Sequence, residues 1–278
     1  MVEEDLSSAL DWRGKPVRCR ECEHQSRNAA GLCAKGRACI RDRRARRVDR
    51  FLASHTELAN DYLDHPYFEV RASAARHASV FSLLPLLDDP EPEVRAMATL
   101  RLPANRIERM MLDADPHVRI AAASRLTGKE LVQMVRDPEY MVRLAAVRNM
   151  PVDLLPLVMR DPDPEVRVSV ARRIDLGALP DMSFDPDPLV RREVAERMAV
   201  EHLQLLAKDS DLRVRFAVVE RIVEEDLFAF LDDAEPLIRE RALERIAAVP
   251  QLAERLASRQ RPRLLRFKTS SYPEAETD

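Results

Sequence analysis

The chain has 278 residues, 46% hydrophobic and 33% charged, with a formal net charge of −3, which suits a water-soluble protein of one or two domains with a sizeable core. Its five glycines, at 14, 31, 36, 128 and 177, are too scattered for a P-loop or a dinucleotide fingerprint, which need several within a few residues. No run of about 18 apolar residues occurs, so no membrane span is predicted.

The first twelve residues, MVEEDLSSALDW, are acidic and lack the apolar centre of a signal peptide, so a cytoplasmic location is expected. Charge then reverses. Residues 13–50 hold thirteen Lys and Arg against four acids, and the rest of the chain is net acidic. Such asymmetry predicts modules with different tasks: a basic cysteine-rich domain and cap over 1–60, repeats over 61–257, and a tail over 258–278.

All four cysteines fall in the basic segment, as C-x₂-C-x₁₀-C-x₅-C: Cys19, Cys22, Cys33 and Cys39. Four thiolates that converge can hold a tetrahedral zinc ion or take the four corners of a [4Fe–4S] cube. The C-x₂-C pair lets two sulfurs bite adjacent positions. The second half, C-x₅-C, departs from the usual zinc knuckle, while disulfides would not persist in a reducing compartment. Spacing alone leaves zinc and iron–sulfur both open. The basic surroundings favour either, since positive charge lowers a thiol pKa. His24, two residues past Cys22, is expected at the surface or beside the ligands rather than among them. Over residues 40–52, Ala45, Val48 and Leu52 form an apolar stripe under a run of arginines, which predicts a capping helix.

The body repeats every 24 residues. A Val-Arg pair, Ile-Arg in the last copy, recurs at Val70, Val94, Val118, Val142, Val166, Val190, Val214 and Ile238, and a fixed period of this size is the signature of a solenoid. With that Val as position zero, Asp stands at −5 in seven copies of eight, an acid at −3 in seven and Pro at −2 in five. Acid then Pro reads as an N-cap followed by the first helical turn, where a missing N–H is harmless. Aliphatic residues at 0, +4 and +8 line one face of an α-helix from about −2 to +8. Further apolar residues at +10, +13 and +16, as in Val152, Leu155 and Val158, fit a short 3₁₀ segment. No alternating β-branched run occurs, so an all-α solenoid of α and 3₁₀ pieces is predicted, each repeat burying its neighbour's apolar face.

Forty of the 45 basic residues are Arg. Position +1 is Arg in every copy, and its regularity matches the −5 Asp ladder, which predicts bidentate pairing rather than a grip on a partner. Position +7 is Arg in six copies, and its role is less settled: an exposed Arg there should cost under about 1 kcal/mol on replacement. The end copies depart from pattern as caps do: His65 replaces the first Asp, with Tyr67 and Phe68 beside it, and Gln251 stands at +13 in the last. The final TSSYPEAETD has the composition of a disordered tail. The methionines at Met110, Met134, Met182 and Met198 read as core packing.

The D-P-D-P-E-V-R run from Asp161 to Arg167, repeated at this period, resembles the leucine-rich repeat variant family, and the four-cysteine segment resembles the iron–sulfur domain that precedes those repeats. The resemblance covers about residues 12–256. It implies a right-handed superhelix without a sheet, and a [4Fe–4S] cluster on Cys19, Cys22, Cys33 and Cys39. There is no H-E-x-x-H and no G-x-S-x-G, so no catalytic residues are assigned and no enzyme or small-molecule substrate is expected. The expected role is a macromolecular interaction scaffold whose cluster transfers electrons or senses redox state, with a protein partner and no membrane. A purely structural metal site, and nucleic-acid binding through the basic segment, are the alternatives.

Overall fold

The computed structural model describes residues 9–260, with side chains to 258; residues 1–8 and nearly all of the expected 258–278 tail lie outside it. Every regular element among the described residues is helical, and strand pairing is limited to isolated bridges, Leu10 with Pro16 and Ala34 with Ala38. No helix among them is long and apolar enough to cross a membrane. The chain forms two compact units, one reaching to Asp175 and one beginning at Leu176.

The α-helices start where the Pro at −2 predicts: Pro92–Arg101, Pro116–Ala123, Tyr140–Asn149, Pro164–Ala171, Pro188–Arg197, Leu212–Arg221 and Pro236–Ala247. The acid at −3 is the cap. The side chains of Asp115, Asp163, Asp187 and Asp211 each accept the backbone N–H two residues on, at 2.7–2.8 Å, satisfying one of the donors a helix start leaves orphaned. The Asp at −5 closes the turn before it: its carboxylate accepts the N–H of −3, as Glu91 to Asp89 and Asp115 to Asp113, both at 2.9 Å. In the first repeat His65 takes over that task, its Nδ1 accepting the Tyr67 N–H at 3.0 Å.

The 3₁₀ segments also fall in register, at Val152–Val158, Leu176–Met182, Val200–Leu206 and Glu224–Phe230. Within them the residues at +13 and +16 are buried, as Leu155 and Val158 are, while +10 is not: Val80, Val152 and Leu176 are exposed. Position +10 opens the 3₁₀ run at the corner, before the chain turns onto the core. Two repeats put an α-turn at this place. Ala104–Ile107 precedes 3₁₀ residues Glu108–Leu112, and Lys129–Met134 follows Gly128, whose φ of 66° redirects the chain. The last copy breaks the pattern outright, with helix Pro250–Gln260 in place of a 3₁₀ piece.

The +1 ladder is paired as expected, and across repeats. Arg143 grips Asp161 through Nε and Nη2 at 2.8 and 2.9 Å, and its Nη1 donates to the Asp137 and Pro138 carbonyls. Arg71, Arg95 and Arg119 do the same in the first unit, Arg191 and Arg215 in the second. One guanidinium thus ties its own helix start to the turn of the following repeat. The +7 arginines, which the sequence left unsettled, are half-buried except for the exposed Arg125. Arg101 Nη1 donates to the carbonyls of Ala75, Arg76 and Ala78 at 2.8–2.9 Å, and Arg173 donates to Val147 and Met150. Arg221 donates to Ala195, and Arg245 to Val219 and Ile222. Each supplies donors to carbonyls that the end of the preceding helix leaves unsatisfied, where positive charge also suits the helix dipole. Position +7 carries no apolar pattern, which is why periodicity could not reveal its burial.

Ahead of the first Val-Arg repeat, helix Ala45–Ser54 buries Val48, Phe51 and Leu52. Ala45, expected on the stripe, is exposed because it opens the helix, where its N–H donates to Glu69 at 2.8 Å. Thr56–Tyr62 then forms a 3₁₀ segment one period before the 3₁₀ pieces that begin at Val80. The cap is a ninth, degenerate repeat.

Candidate metal centre

The cysteine segment has little apolar core: among the described residues Ala9, Val17 and Cys39 form a small buried cluster, and Ile40 is buried beside them in sequence. Turns and polar contacts shape it. Val17 donates to the Ala9 carbonyl at 2.9 Å, and Arg43 to that of Leu10 at 2.8 Å, tying the start of the described chain to the end of the segment. Gly14, Gly31 and Gly36 sit at φ values of 79°, 74° and 76°, a region that residues with a Cβ rarely enter, and they make the reversals between the cysteines possible.

Cys19 opens a 3₁₀ turn, Cys19–Glu21, that hands the chain to Cys22. The short helix Gln25–Ala29 follows, and Asn28 reaches from it to the Cys33 carbonyl at 2.9 Å. Cys39 is anchored by its N–H to the Arg47 carbonyl at 3.1 Å, against the cap helix. None of the four is in a disulfide; Cys39 is buried and the others are half-buried. Burial, first of all, pushes the thiols of Cys22, Cys33 and Cys39 up, that of Cys39 to about 11, and the charges of Cys19 and Cys22 add to the shift at Cys33 and Cys39. The four sulfurs therefore share one electrostatic neighbourhood. No group of three or more His, Cys, Asp or Glu among the described residues is already set to hold a metal ion.

Four free thiols are a donor set that suits an iron–sulfur cluster and also a tetrahedral zinc ion. A tetrahedral zinc with bonds of about 2.3 Å needs its sulfurs within about 4 Å of one another, whereas a cube of four irons takes one thiolate per corner. His24 stands beside this group and faces away from it. Its backbone N–H reaches Cys22 Sγ at 3.4 Å, while its ring meets the Tyr62 hydroxyl at 2.6 Å. Tyr62 in turn donates to Glu23 at 2.9 Å, and Arg41 pairs with Glu23 at 3.0 Å. Burial opposes ionisation of Glu23, but hydrogen bonds from its own N–H and from Tyr62 hold its carboxyl below the usual range. Burial lowers the His24 pKa and raises that of Tyr62. The network docks the cysteine segment onto the 3₁₀ segment of the cap. Sequence reasoning missed it, since Tyr62 lies 39 residues from Glu23.

On the outer side Trp12 stacks on Tyr67, with ring centres 6.3 Å apart, and meets His65 edge-on and Arg13 at 4.5 Å from its ring centre. The aromatics beside His65 are thus where the basic segment meets the first repeat.

Residues 9–61 match the family model described as the FeS4 cluster of the LRV protein, a span that contains all four cysteines. An uncharacterized 27.7 kDa protein from the nifB 3′ region of Rhodobacter capsulatus is 47% identical over 78 residues, which are 28% of this chain and 32% of that one. The chain therefore spans about a third of that relative. The solved structure described as a leucine-rich repeat variant with a novel repetitive structural motif superposes with a TM-score of 0.72 at 38% identity, over 82% of this chain and 98% of its own. The in-register alternation of α and 3₁₀ helices and this likeness over nearly the whole of a solved relative agree: the chain belongs to the leucine-rich repeat variant family, as an iron–sulfur repeat protein.

Proposed function

We propose that Cys19, Cys22, Cys33 and Cys39 hold one [4Fe–4S] cluster, and that the protein is a non-enzymatic interaction scaffold on which this cluster serves electron transfer or redox sensing. The observation that carries the reading is the joint one at residues 9–61: a family likeness to an FeS4 domain, and four unbridged, half-buried to buried thiols in one neighbourhood. When bound, a cluster of this kind supplies a reversible one-electron store whose potential follows net charge, hydrogen bonds to sulfur and exposure.

The chain's own residues set those terms. The His24 N–H donates to Cys22 Sγ, and the basic surroundings favour the more negative, reduced state, raising the potential. Half-buried cysteines keep the site within reach of a partner. The repeats supply the long surface for a protein partner that such stacks present, and we assign them over 61–257, with the cluster domain and cap over 1–60. A cluster that acts only as a structural staple is the second reading, and the meagre core of Ala9, Val17 and Cys39 favours it. Nucleic-acid binding has less support, because Trp12, the nearest stacking residue, is already engaged by Tyr67, His65 and Arg13.

Anaerobically purified protein is expected to be brown, with about four irons and four sulfides per chain and a broad band near about 400 nm that dithionite bleaches reversibly. A colourless protein with one zinc ends the cluster reading. A brown protein silent to reduction leaves the staple.

A further inference from the structure

The excess of positive charge in residues 13–50 lies on exposed cations, Arg13, Lys15 and Arg20 along the first stretch and a group of four further on. All four acids of that segment are spent on ion pairs. Glu21 meets Arg18 at 3.0 Å, Glu23 meets Arg41 at 3.0 Å and Asp42 meets Arg47 at 2.9 Å. Asp49 lies 2.9 Å from His77 and 3.4 Å from Arg76 of the first repeat. The nearby Glu57 is held by Arg27 at 3.1 Å. Lys35, Arg37, Arg46 and Arg50 are exposed and have no carboxylate partner among the described residues.

These four stand together. Ala34 and Ala38 exchange hydrogen bonds at 3.0 Å across a tight turn, and Gly36 at a φ of 76° lets it reverse, so Lys35 and Arg37 occupy its tip. Arg50 reaches the turn from the cap helix, donating to the Arg37 carbonyl at 3.4 Å. Arg46 lies one turn earlier on the same face of that helix. Cys33 and Cys39 close the turn at its two ends. Leu32, beside Cys33, is 55% exposed and offers the patch an apolar contact. Four uncompensated cations and one apolar side chain thus surround the chain between two of the four proposed ligands.

We propose that the face formed by Lys35, Arg37, Arg46 and Arg50 is the docking site for an acidic one-electron carrier protein; this rests on the redox reading above and names its partner class. Charge complementarity argues for this occupant, since a patch of one sign with no internal counter-ions steers a partner of the other sign and speeds encounter more than it deepens affinity. The position argues for electron transfer, because a partner seated on the turn lies against the Cys33 and Cys39 backbone. In the transfer, the reduced carrier gives one electron to the oxidised cluster and leaves oxidised. No bond forms or breaks and no proton moves. A nucleic acid would find the charge without free stacking rings, which single strands use.

The test uses full-length, cluster-loaded protein under anaerobic conditions, with a reduced plant-type [2Fe–2S] ferredoxin as the acidic probe. Stopped-flow should give a second-order rate that falls at least about tenfold between low salt and about 0.3 M salt, as screening shortens the field. The double variant K35E/R37E should lose about tenfold at low salt, more than the accompanying fall in its measured midpoint potential accounts for, yet keep its absorbance near about 400 nm and its reduction by dithionite. Complex formation, followed by calorimetry with oxidised ferredoxin, should weaken in parallel. A rate and an affinity indifferent to salt and to the double variant overturn the docking face while leaving the redox reading intact. Failure of dithionite to reduce the cluster overturns the redox reading and the docking proposal with it. Tight, salt-sensitive binding of a single-stranded oligonucleotide that excludes ferredoxin assigns the face to nucleic acid instead.

Discussion

The cysteine segment and the repeats solve the same problem, a chain too short locally to bury much surface, by opposite means. A single repeat buries Val94, Ala98, Leu102, Ile107 and Met110, and each large aliphatic side chain so buried stabilises by roughly 1.5–3 kcal/mol. The cysteine segment buries only Ala9, Val17, Cys39 and Ile40 among its apolar side chains and relies on turns, ion pairs and the contacts of Tyr62 and Trp12 with its neighbours. Polar atoms are used differently as well. In the repeats Arg and Asp complete each other within the fold, whereas the turn Ala34–Ala38 presents cations with no carboxylate partner among the described residues. Regular stacking makes the repeats self-sufficient. On the proposed reading the cysteine segment depends on the cluster its thiols hold and leaves charge over for a partner.

The largest expected effect tests that dependence. Cys39 is the most buried of the four thiols and is anchored to the cap helix, so Cys39→Ser should abolish the cluster absorbance and loosen residues 9–44. Far-UV circular dichroism should fall only slightly, since most helices lie in the repeats. Hydrogen exchange read by mass spectrometry separates the regions: fast exchange confined to the cysteine segment is expected. Protection lost equally in the repeats would mean that the two regions fold as one.

The next effects compare the two arginine rows of the repeats. The side chains of Arg143 and Asp161 are 9% and 3% exposed, and removing one partner of such a pair leaves the other charge buried. Arg143→Ala should cost about 3 kcal/mol in urea unfolding. Arg101 donates to three carbonyls of the preceding helix end without a carboxylate, so Arg101→Ala should cost about 1–2 kcal/mol. Equal losses at both positions would show that the bidentate pair adds nothing beyond carbonyl capping.

The same contrast decided what could be read in the sequence. Val at 0, the aliphatics at +4 and +8, Pro at −2 and the acid at −3 announced the helices because each obeys a local rule of spacing or capping. The bidentate use of +1 was legible because two ladders of equal period and opposite charge had one economical arrangement. Position +7 could not be settled, since an Arg that caps carbonyls two dozen residues earlier looks in sequence like any solvated Arg. The ninth repeat was hidden because Arg46 stands where Val belongs, although Ala59 holds the buried +13 place. In the cysteine segment only the four thiols and the charge were legible. Glu23, Tyr62 and Arg41 meet through tertiary packing that no period encodes.

The smallest expected effect concerns a single helix cap in the second unit. Asp211 accepts the Arg213 N–H at 2.8 Å and pairs with its guanidinium at 2.8 Å. The Arg213 side-chain hydrogen bond, followed by those from the backbone, lowers the Asp211 pKa to about 2, against about 3.9 in an unfolded chain. A depressed folded pKa means that the carboxylate's contribution is complete above about pH 4 and is lost as pH falls through its folded value. The pair lies at the surface, with half of Arg213 exposed, so solvent screening leaves the cap as the main term, about 1 kcal/mol. Asp211→Ala should therefore lower stability by about that much at pH 7 and by progressively less between pH 4 and 2, the two proteins converging once the wild-type carboxyl is protonated. Denaturant midpoints of both proteins measured across this window check it. A gap of constant size down to pH 2 would assign the effect to helix propensity rather than to the charged cap. Such a result would place this helix start among the apolar devices of the repeats instead of their ionic ones.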